Sequence, residues 1–239
     1  MNHAMIVLKV SEGDAGMQDF GDIKGWCFDL HGVITDSWIY HAMAWQETAE
    51  ILGVTWTDDI QEQLKGRDRM DSLEYILQVG GIQDQYTLSE KQAIAARKNK
   101  RYLKYLQKMN PSDVLPGINE LLADLQADGY QMIIASASQN APLEIEKLGL
   151  TKYFTKVVDV TQLAHNKPAP DVFLKAAEML ELDVSECVGI DDGLVGVQSI
   201  NAANMVSIGV GDQQILHEAD IVFPSTTDLT IANVRQAFK

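Results

Sequence analysis

A chain of 239 residues with 46% hydrophobic and 22% charged residues has the make-up of a folded globular protein, not of a disordered or fibrous one. Its net charge of -15 gives a field that repels nucleic acid and anionic membranes, so neither is an expected partner. An anionic substrate would have to be met by local basic residues and by a cation.

Cysteine content and apolar runs bear on the cellular compartment. The two cysteines, Cys27 and Cys187, lie in short apolar runs typical of buried strands, and we expect reduced thiols. No apolar run is long enough for a membrane span, and the first residues carry acids and too short an apolar stretch for a secretory signal. We expect a cytoplasmic protein, and a monomer.

In chain order, residues 1–22 form an N-terminal extension without an assigned role. From Gly25 onward, short apolar runs alternate with stretches of helical spacing, and this alternation predicts an α/β fold, a Rossmann-like doubly wound parallel sheet covered by helices. The predicted strands are 25–30, 131–135, 156–158, 187–190, 205–208 and 221–222.

The stretch between the first and second predicted strands is far longer than the dozen or so residues that one crossover needs. It has helical spacing throughout, with predicted helices at 40–52, 57–64, 70–79 and 88–109. The break at Asn110-Pro111 ends this run, since proline cannot continue a helix. The sequence therefore predicts an inserted α-helical cap domain, residues 37–111, on a core domain of residues 23–36 and 112–239.

Acidic side chains follow two of the predicted strands. Asp29 and His31 end the first, and the period of two along a strand puts a nucleophile and a proton-transfer group on one side. Asp191 and Asp192 end another. Carboxylates that converge from neighbouring strand ends favour Mg2+, although single acids there also serve as helix caps.

Two further segments carry phosphate-binding chemistry. Ser136, Ser138 and Asn140 follow a buried strand and precede a helix, where hydroxyls and free amides hold phosphate, although the same residues are common N-caps. Lys167 stands before a helix that a proline opens. It would neutralise both a nucleophile and a phosphoryl group, whereas a solvated surface lysine is the simpler alternative.

In order and spacing, the four segments around Asp29, Ser136, Lys167 and Asp191 resemble the signature motifs of the haloacid dehalogenase-like superfamily. The predicted cap is similar to that of its β-phosphoglucomutase family in three segments, and the likeness runs from about Gly25 to the end of the chain. These segments are Asp36-Ser37 with Tyr40-His41 and Ala44-Trp45, Gln63-Leu64-Lys65-Gly66 with Arg69 and Asp71-Ser72-Leu73, and Arg97-Lys98-Asn99.

The resemblance implies an enzyme that transfers phosphoryl groups on a small phosphorylated sugar through a phosphorylated Asp29. Mg2+ would be held by Asp29, the backbone carbonyl of His31, Asp191 and Asp192, while Ser136 and Lys167 bind the transferring phosphate. On the substrate side, the implied residues are His41 and Lys98 at the sugar, Arg69, Ser138 and Asn140 at the other phosphate, and Lys65 as a further cap cation.

Two residues depart from the family pattern. His31 stands where the family has an aspartate that is the general acid and base, and Gln139 stands where a lysine is common. Histidine transfers protons near neutral pH, but its bulk and charge disfavour a nearby cation. Three functions therefore stay open: interconversion of hexose 1-phosphate and hexose 6-phosphate, a sugar-phosphate phosphatase, and a binding or regulatory protein with little turnover.

Overall fold

The computed structural model describes residues 19–238. Five strands form one parallel sheet in the order β2-β1-β3-β4-β5. The strands are β1 (Gly25–Phe28), β2 (Gln131–Ile134), β3 (Cys187–Asp191), β4 (Val206–Val210) and β5 (Ile221–Phe223). The predicted fold class, a doubly wound parallel sheet, is confirmed.

Nine α-helices accompany the sheet within these residues. They are α1 (Trp38–Ile51), α2 (Asp58–Gln63), α3 (Arg69–Val79), α4 (Leu88–Leu106), α5 (Ile118–Ala127), α6 (Ala141–Lys147), α7 (Asp171–Leu180), α8 (Leu194–Ala202) and α9 (Ile231–Ala237). None of the helices described is both long and apolar enough to cross a membrane.

Alternate residues of the strands feed two separate apolar layers. Trp26 and Phe28 pack with buried residues of α5, α6 and α9 on one face of the sheet, and Cys27 packs with those of α7 and α8 on the other. Successive side chains of a strand point to opposite faces, so a four-residue strand that is wholly buried needs helices on both sides. β1, which lies between β2 and β3, is therefore covered by helices on both of its faces.

The predicted strand at 156–158 is wrong as a strand. Val157 forms only an isolated bridge to Ile134, and the amide of Val158 donates to the carbonyl of Ile134 at 3.0 Å. The apolar run is too short for a ladder, because β2 itself ends at Ile134.

The segment that we call the cap, residues 37–111, holds helices α1 to α4 and an apolar cluster of its own. That cluster comprises Trp45, Ala49, Val54, Ile60, Leu64, Leu73, Ile76, Leu77, Ile94 and Ala95. Tyr102 and Leu106 near the end of α4 instead join the cluster on the sheet. The cap therefore keeps its own core while the last turns of α4 anchor it to the rest of the protein.

Part of the predicted N-terminal extension packs against the core. Phe20 is buried, and its ring meets those of Tyr130 and Phe238 at centroid distances of 6.3 and 5.4 Å. Residues 1–18 of the predicted extension lie outside the described residues. The packed part of the protein thus includes Phe20, ahead of β1.

Candidate active site

Three neighbouring strands end at one edge of the sheet, and each leads into polar residues. The amide of Asp29 donates to the carbonyl of Ile190 at 2.8 Å, so Asp29 continues the ladder beside Asp191, the last residue of β3. Ser136 follows β2 on the other side of β1. The carboxyl ends of such strands are where open parallel sheets bind ligands.

Lys167 joins the two aspartates. Its Nζ lies 2.7 Å from Asp29 Oδ1 and 2.8 Å from Asp191 Oδ2, and its side chain is only 2% exposed. Burial alone would lower the pKa of this ammonium group, but the charges of Asp191 and Asp29 raise the pKa above its ordinary value. The lysine is therefore a fixed positive charge and not a proton donor at neutral pH.

Among the residues that the structure describes, no salt bridge engages Asp192, which lies close to the segment after β1. A Cβ atom on Gly32, which has φ +76°, would stand 1.9 Å from Asp192 Oδ2, so only glycine allows this approach. Burial, with the negative charges of Asp191 and Asp29, raises the pKa of Asp192 to about 8. A buried acid next to two others is the environment that a bound cation relieves.

The residues present fit a magnesium ion by their chemistry, since carboxylates are the ligands that Mg2+ prefers. Across residues 19–238, however, the His, Cys, Asp and Glu side chains whose ligand atoms all lie within 4.8 Å of one another are His31, His41 and Glu144. The three aspartates are spread more widely, with Lys167 between two of them. A shared ion would have to draw them closer.

His31 is held by a buried glutamate. Its Nε2 lies 3.0 Å from Oε2 of Glu144, which is 0% exposed, and the hydroxyl of Ser37 donates to the same oxygen at 2.8 Å. Burial opposes the charge of His31, but Glu144, Asp29 and Asp192 raise the pKa of His31 above its ordinary value. For Glu144, burial acts against ionisation, yet the charge and hydrogen bond of His31 lower its pKa.

His41 and Lys98 form a second buried pair on the cap. Lys98 Nζ lies 2.8 Å from His41 Nδ1, and the lysine is 1% exposed. Nζ also lies 4.6 Å from the centre of the Trp45 ring. Burial, together with the charge of Arg69, holds the pKa of Lys98 well below its usual range, and burial with the charge of Lys98 does the same for His41.

The predicted site residues surround one cavity of about 60 Å3 between the sheet edge and the cap. It is lined by Asp29, His31, Trp38, His41, Trp45, Lys65, Gly66, Arg67, Asp68, Arg69, Ser72, Lys98, Ser136, Ala137, Ser138, Gln139, Asn140, Asp191 and Asp192. Of the residues that the sequence predicted for catalysis, substrate binding and metal binding, all but Lys167 line this cavity. Lys167 lies behind the lining and contacts it through Asp29 and Asp191.

The cap cations are not equally available to a ligand. Lys65 pairs with Glu62 at 2.8 Å on the surface, and Arg67 Nε donates to the carbonyl of Gln63. Arg69 lies at the start of α3, and burial lowers its pKa. Within the described residues, no salt bridge engages Arg69.

The predicted phosphate-binding loop after β2 is tied to its surroundings. Ser138 Oγ donates to Glu144 Oε1 at 3.1 Å, and Asn140 Nδ2 donates to Asn99 Oδ1 of the cap at 2.9 Å. On the opposite side of the cavity, the loop before Lys167 also touches the cap, through a hydrogen bond between Asn166 and Asp68. Both loops therefore connect the core with the cap.

Sequence reasoning missed Glu144. It lies on the face of α6 that also buries Ala141, Ile145 and Leu148, so an acid occupies a position of the apolar stripe. This placement is the signal that was available, because an ionisable residue within a buried stripe needs a partner. Nothing in the sequence showed that the partner is His31.

The family model described as haloacid dehalogenase-like hydrolase matches residues 23–204. The chain belongs to this family, and it is an enzyme.

Within the family, the chain is similar to a β-phosphoglucomutase of Bacillus subtilis, with 42% identity over 87% of this chain and 92% of the relative. The structure of a β-phosphoglucomutase from Clostridium difficile has a TM-score of 0.88 at 36% identity and covers 90% of this chain and 97% of that one. A fructose-1-phosphate phosphatase of Escherichia coli is 28% identical over 78% of this chain and 95% of the relative. The resemblance drawn from the motifs is confirmed.

Proposed function

We propose that this enzyme transfers phosphoryl groups on sugar phosphates in a magnesium-dependent reaction through a phosphorylated Asp29, and that it interconverts hexose 1-phosphate and hexose 6-phosphate. The observation that carries the proposal is the Lys167 ammonium shared by Asp29 and Asp191 at the floor of the cavity. The opposite wall carries separate basic residues, Arg69 and Lys98. Two phosphates at the two ends of one sugar would match these two groups.

Asp29 is the group placed to attack phosphorus. Lys167 holds its Oδ1, while across residues 19–238 no hydrogen bond engages Oδ2. When Oδ2 attacks, the bond from phosphorus to the sugar oxygen breaks, and charge spreads over the three remaining phosphoryl oxygens. Lys167 and the hydroxyl of Ser136 stabilise that charge, since Lys167 contacts Asp29 directly and Ser136 lines the cavity with it.

Asp29, Asp191, Asp192 and the backbone carbonyl of His31 would hold the magnesium ion, which supplies further positive charge to the phosphoryl oxygens. The net charge of -15 makes such local positive charge necessary for any anionic substrate.

His31 is the proton-transfer group of the proposal. It gives a proton to the sugar oxygen that leaves phosphorus, and it takes the proton of the hydroxyl that attacks the phosphoryl group on Asp29 in the return step. Asp29 takes one phosphoryl group from the sugar bisphosphate, and hexose 6-phosphate leaves. Phosphorylated Asp29 then passes the group to the free hydroxyl of a hexose 1-phosphate, which forms the bisphosphate again, and Asp29 and His31 recover their starting states.

The cap excludes water and receives the non-transferring phosphate. Arg69, Ser138 and Asn140 would bind that phosphate, with Lys65 as a further cation, while His41 and Lys98 border the sugar. A sugar phosphate bound in the cavity would displace water from beside Asp29, which favours transfer to sugar over hydrolysis. The cap must open between the two half-reactions so that the sugar bisphosphate can turn round.

A sugar-phosphate phosphatase is the second candidate. Gln139 lines the cavity beside the proposed site of the second phosphate, where a neutral amide binds an anion less strongly than a basic residue does. Weaker retention of the sugar would leave the phosphorylated Asp29 to water. A binding or regulatory protein with little turnover remains the alternative of another class, because of His31.

One experiment separates the three. The protein is incubated with Mg2+ and β-glucose 1-phosphate plus a trace of the bisphosphate, and glucose 6-phosphate and free phosphate are measured together. Glucose 6-phosphate in excess of phosphate supports the mutase, whereas phosphate alone supports the phosphatase. If neither forms from weakly acidic to weakly alkaline pH, the binding function is favoured over both.

We also propose that the enzyme acts as a monomer in the cytoplasm. The described thiols of Cys27 and Cys187 are free and buried, a state that suits a reducing compartment.

A further inference from the structure

We propose that Glu144 is a positioning residue that fixes the ring of His31 and decides which of its nitrogens carries the proton. This inference deepens the proposed function and rests on it. It assigns a role to a buried carboxylate on α6, outside the four motifs.

Glu144 is built into the protein as an acceptor. Its side chain is 0% exposed, and its two oxygens receive the hydroxyls of Ser37 at 2.8 Å and Ser138 at 3.1 Å. A carboxylate at such a depth is strongly unfavourable unless hydrogen bonds and an opposite charge accompany it. The two hydroxyls fix its orientation and leave Oε2 directed at His31 as well.

The contact with Glu144 selects one tautomer of His31. A carboxylate only accepts hydrogen bonds, so the 3.0 Å contact requires that His31 Nε2 is the donor. In the neutral ring, Nδ1 is then the unprotonated nitrogen and the one that can take a proton. The same logic governs a catalytic histidine whose far nitrogen is held by a buried carboxylate.

The surroundings restrict the ring from other sides. The centroids of the His41 and His31 rings lie 4.7 Å apart, and His31 lines the cavity together with Asp29. Ser37 begins the cap and Ser138 lies in the loop after β2, so Glu144 receives hydrogen bonds from the cap and from the core.

The test compares two phosphoryl donors that differ in their need for a proton. A sugar leaving group needs one, whereas acetate released from acetyl phosphate does not. Glu144→Leu should lower kcat on β-glucose 1-phosphate by about 100-fold, the lower end of the usual contribution of general acid-base catalysis. The rate at which acetyl phosphate phosphorylates Asp29, followed by intact mass, should not change.

Two controls guard against a trivial loss of structure. Glu146 lies on the same helix and is exposed, so Glu146→Gln should leave both rates unchanged. Glu144→Gln keeps the volume and one acceptor oxygen, and should show a smaller loss in kcat than the leucine variant. In nitrogen NMR spectra recorded at a pH where the ring is neutral, His31 should carry its proton on Nε2 in the wild type and should become a mixture of tautomers in Glu144→Leu.

The effect of Glu144→Leu on kcat is also measured in a protein that carries His31→Asp. In His31→Asp, the new carboxylate faces Glu144, and like charges repel, so Glu144→Leu should no longer lower kcat there. Equal losses with both donors, or the same loss in the His31→Asp background, would show a merely structural role and overturn the inference. If wild-type protein never acquires a phosphoryl group on Asp29, the proposed function fails instead, whatever the variants do.

Discussion

Removal of the Lys167 charge gives a direct measure of the electrostatics at the sheet edge. Lys167→Met keeps the apolar stem and deletes an ammonium group that contacts two buried carboxylates at 2.7 and 2.8 Å. Deleting one partner of a buried ion pair costs about 3–5 kcal/mol, because the remaining charge has neither water nor a counterion. That loss is a large part of the about 5–15 kcal/mol by which proteins are stable.

The measurement is urea unfolding with EDTA present, so that no divalent cation substitutes for the lysine. With an m-value of about 2 kcal/mol per molar urea, a loss of about 3 kcal/mol lowers the unfolding midpoint by about 1.5 M. The loss should shrink as the pH falls, since burial raises the pKa of Asp191 and its protonation removes an unpaired charge.

Lys175→Met is the matched control. Lys175 pairs with Glu178 one turn along α7 at 2.9 Å, but the two side chains are 38% and 70% exposed. An exposed pair of this kind contributes at most about 0.5 kcal/mol. If the two methionine variants unfold at the same urea concentration, the reasoning about buried charge at this edge is refuted.

Three further predictions concern single groups of the cavity. Burial and like charges raise the pKa of Asp192 to about 8. The folded protein therefore binds an extra proton below pH 8, and it loses stability as the pH rises through this value. Asp192→Asn should raise Tm at pH 8 in EDTA and should give no gain under strongly acidic conditions. Gly32→Ala places a Cβ 1.9 Å from Asp192 Oδ2 at φ +76°, so calorimetry should show weakened Mg2+ binding together with a lower Tm, and unchanged binding would contradict the contact. Burial lowers the pKa of Lys98, so below pH 10.5 the unfolded chain binds more protons than the folded protein does. The Tm of Lys98→Met should therefore rise relative to that of the wild type as the pH falls from 10.5. A difference in Tm that stays constant with pH would argue against this burial effect.

The sheet was predictable because its strands are short apolar runs that end in polar residues. Four of the six predicted strands lie within two residues of the observed bounds at each end, and the last, at 221–222, appears as Ile221–Phe223. The run at 156–158 was not separable from a strand by composition, since hydrogen bonding to Ile134 decides its state. The sequence indicates which segments are able to form strands, whereas the length of the neighbouring strand decides which of them pair with it.

The residues of the site at the sheet edge were predictable from the sequence, whereas the contacts among the surrounding side chains were less so. Asp29, Lys167 and Asp191 follow from order and spacing, because parallel strands bring their carboxyl ends together. The contact of His31 with Glu144 spans residues 113 positions apart in the chain, and no local pattern reveals it. The pairing of Lys98 with His41 was likewise hidden, since it depends on how α1 packs against α4.

The size of the cavity bears on how ligands arrive. Binding pockets for small molecules usually measure about 300–1,000 Å3, several times the about 60 Å3 between the sheet edge and the cap here. A sugar phosphate would then need the cap to open before it enters, and association would be slower than the diffusion limit. In crystals of this state, a soaked hexose phosphate would not bind, because the lattice would hinder the cap from opening. Co-crystallisation from solution would allow the hexose phosphate to bind first.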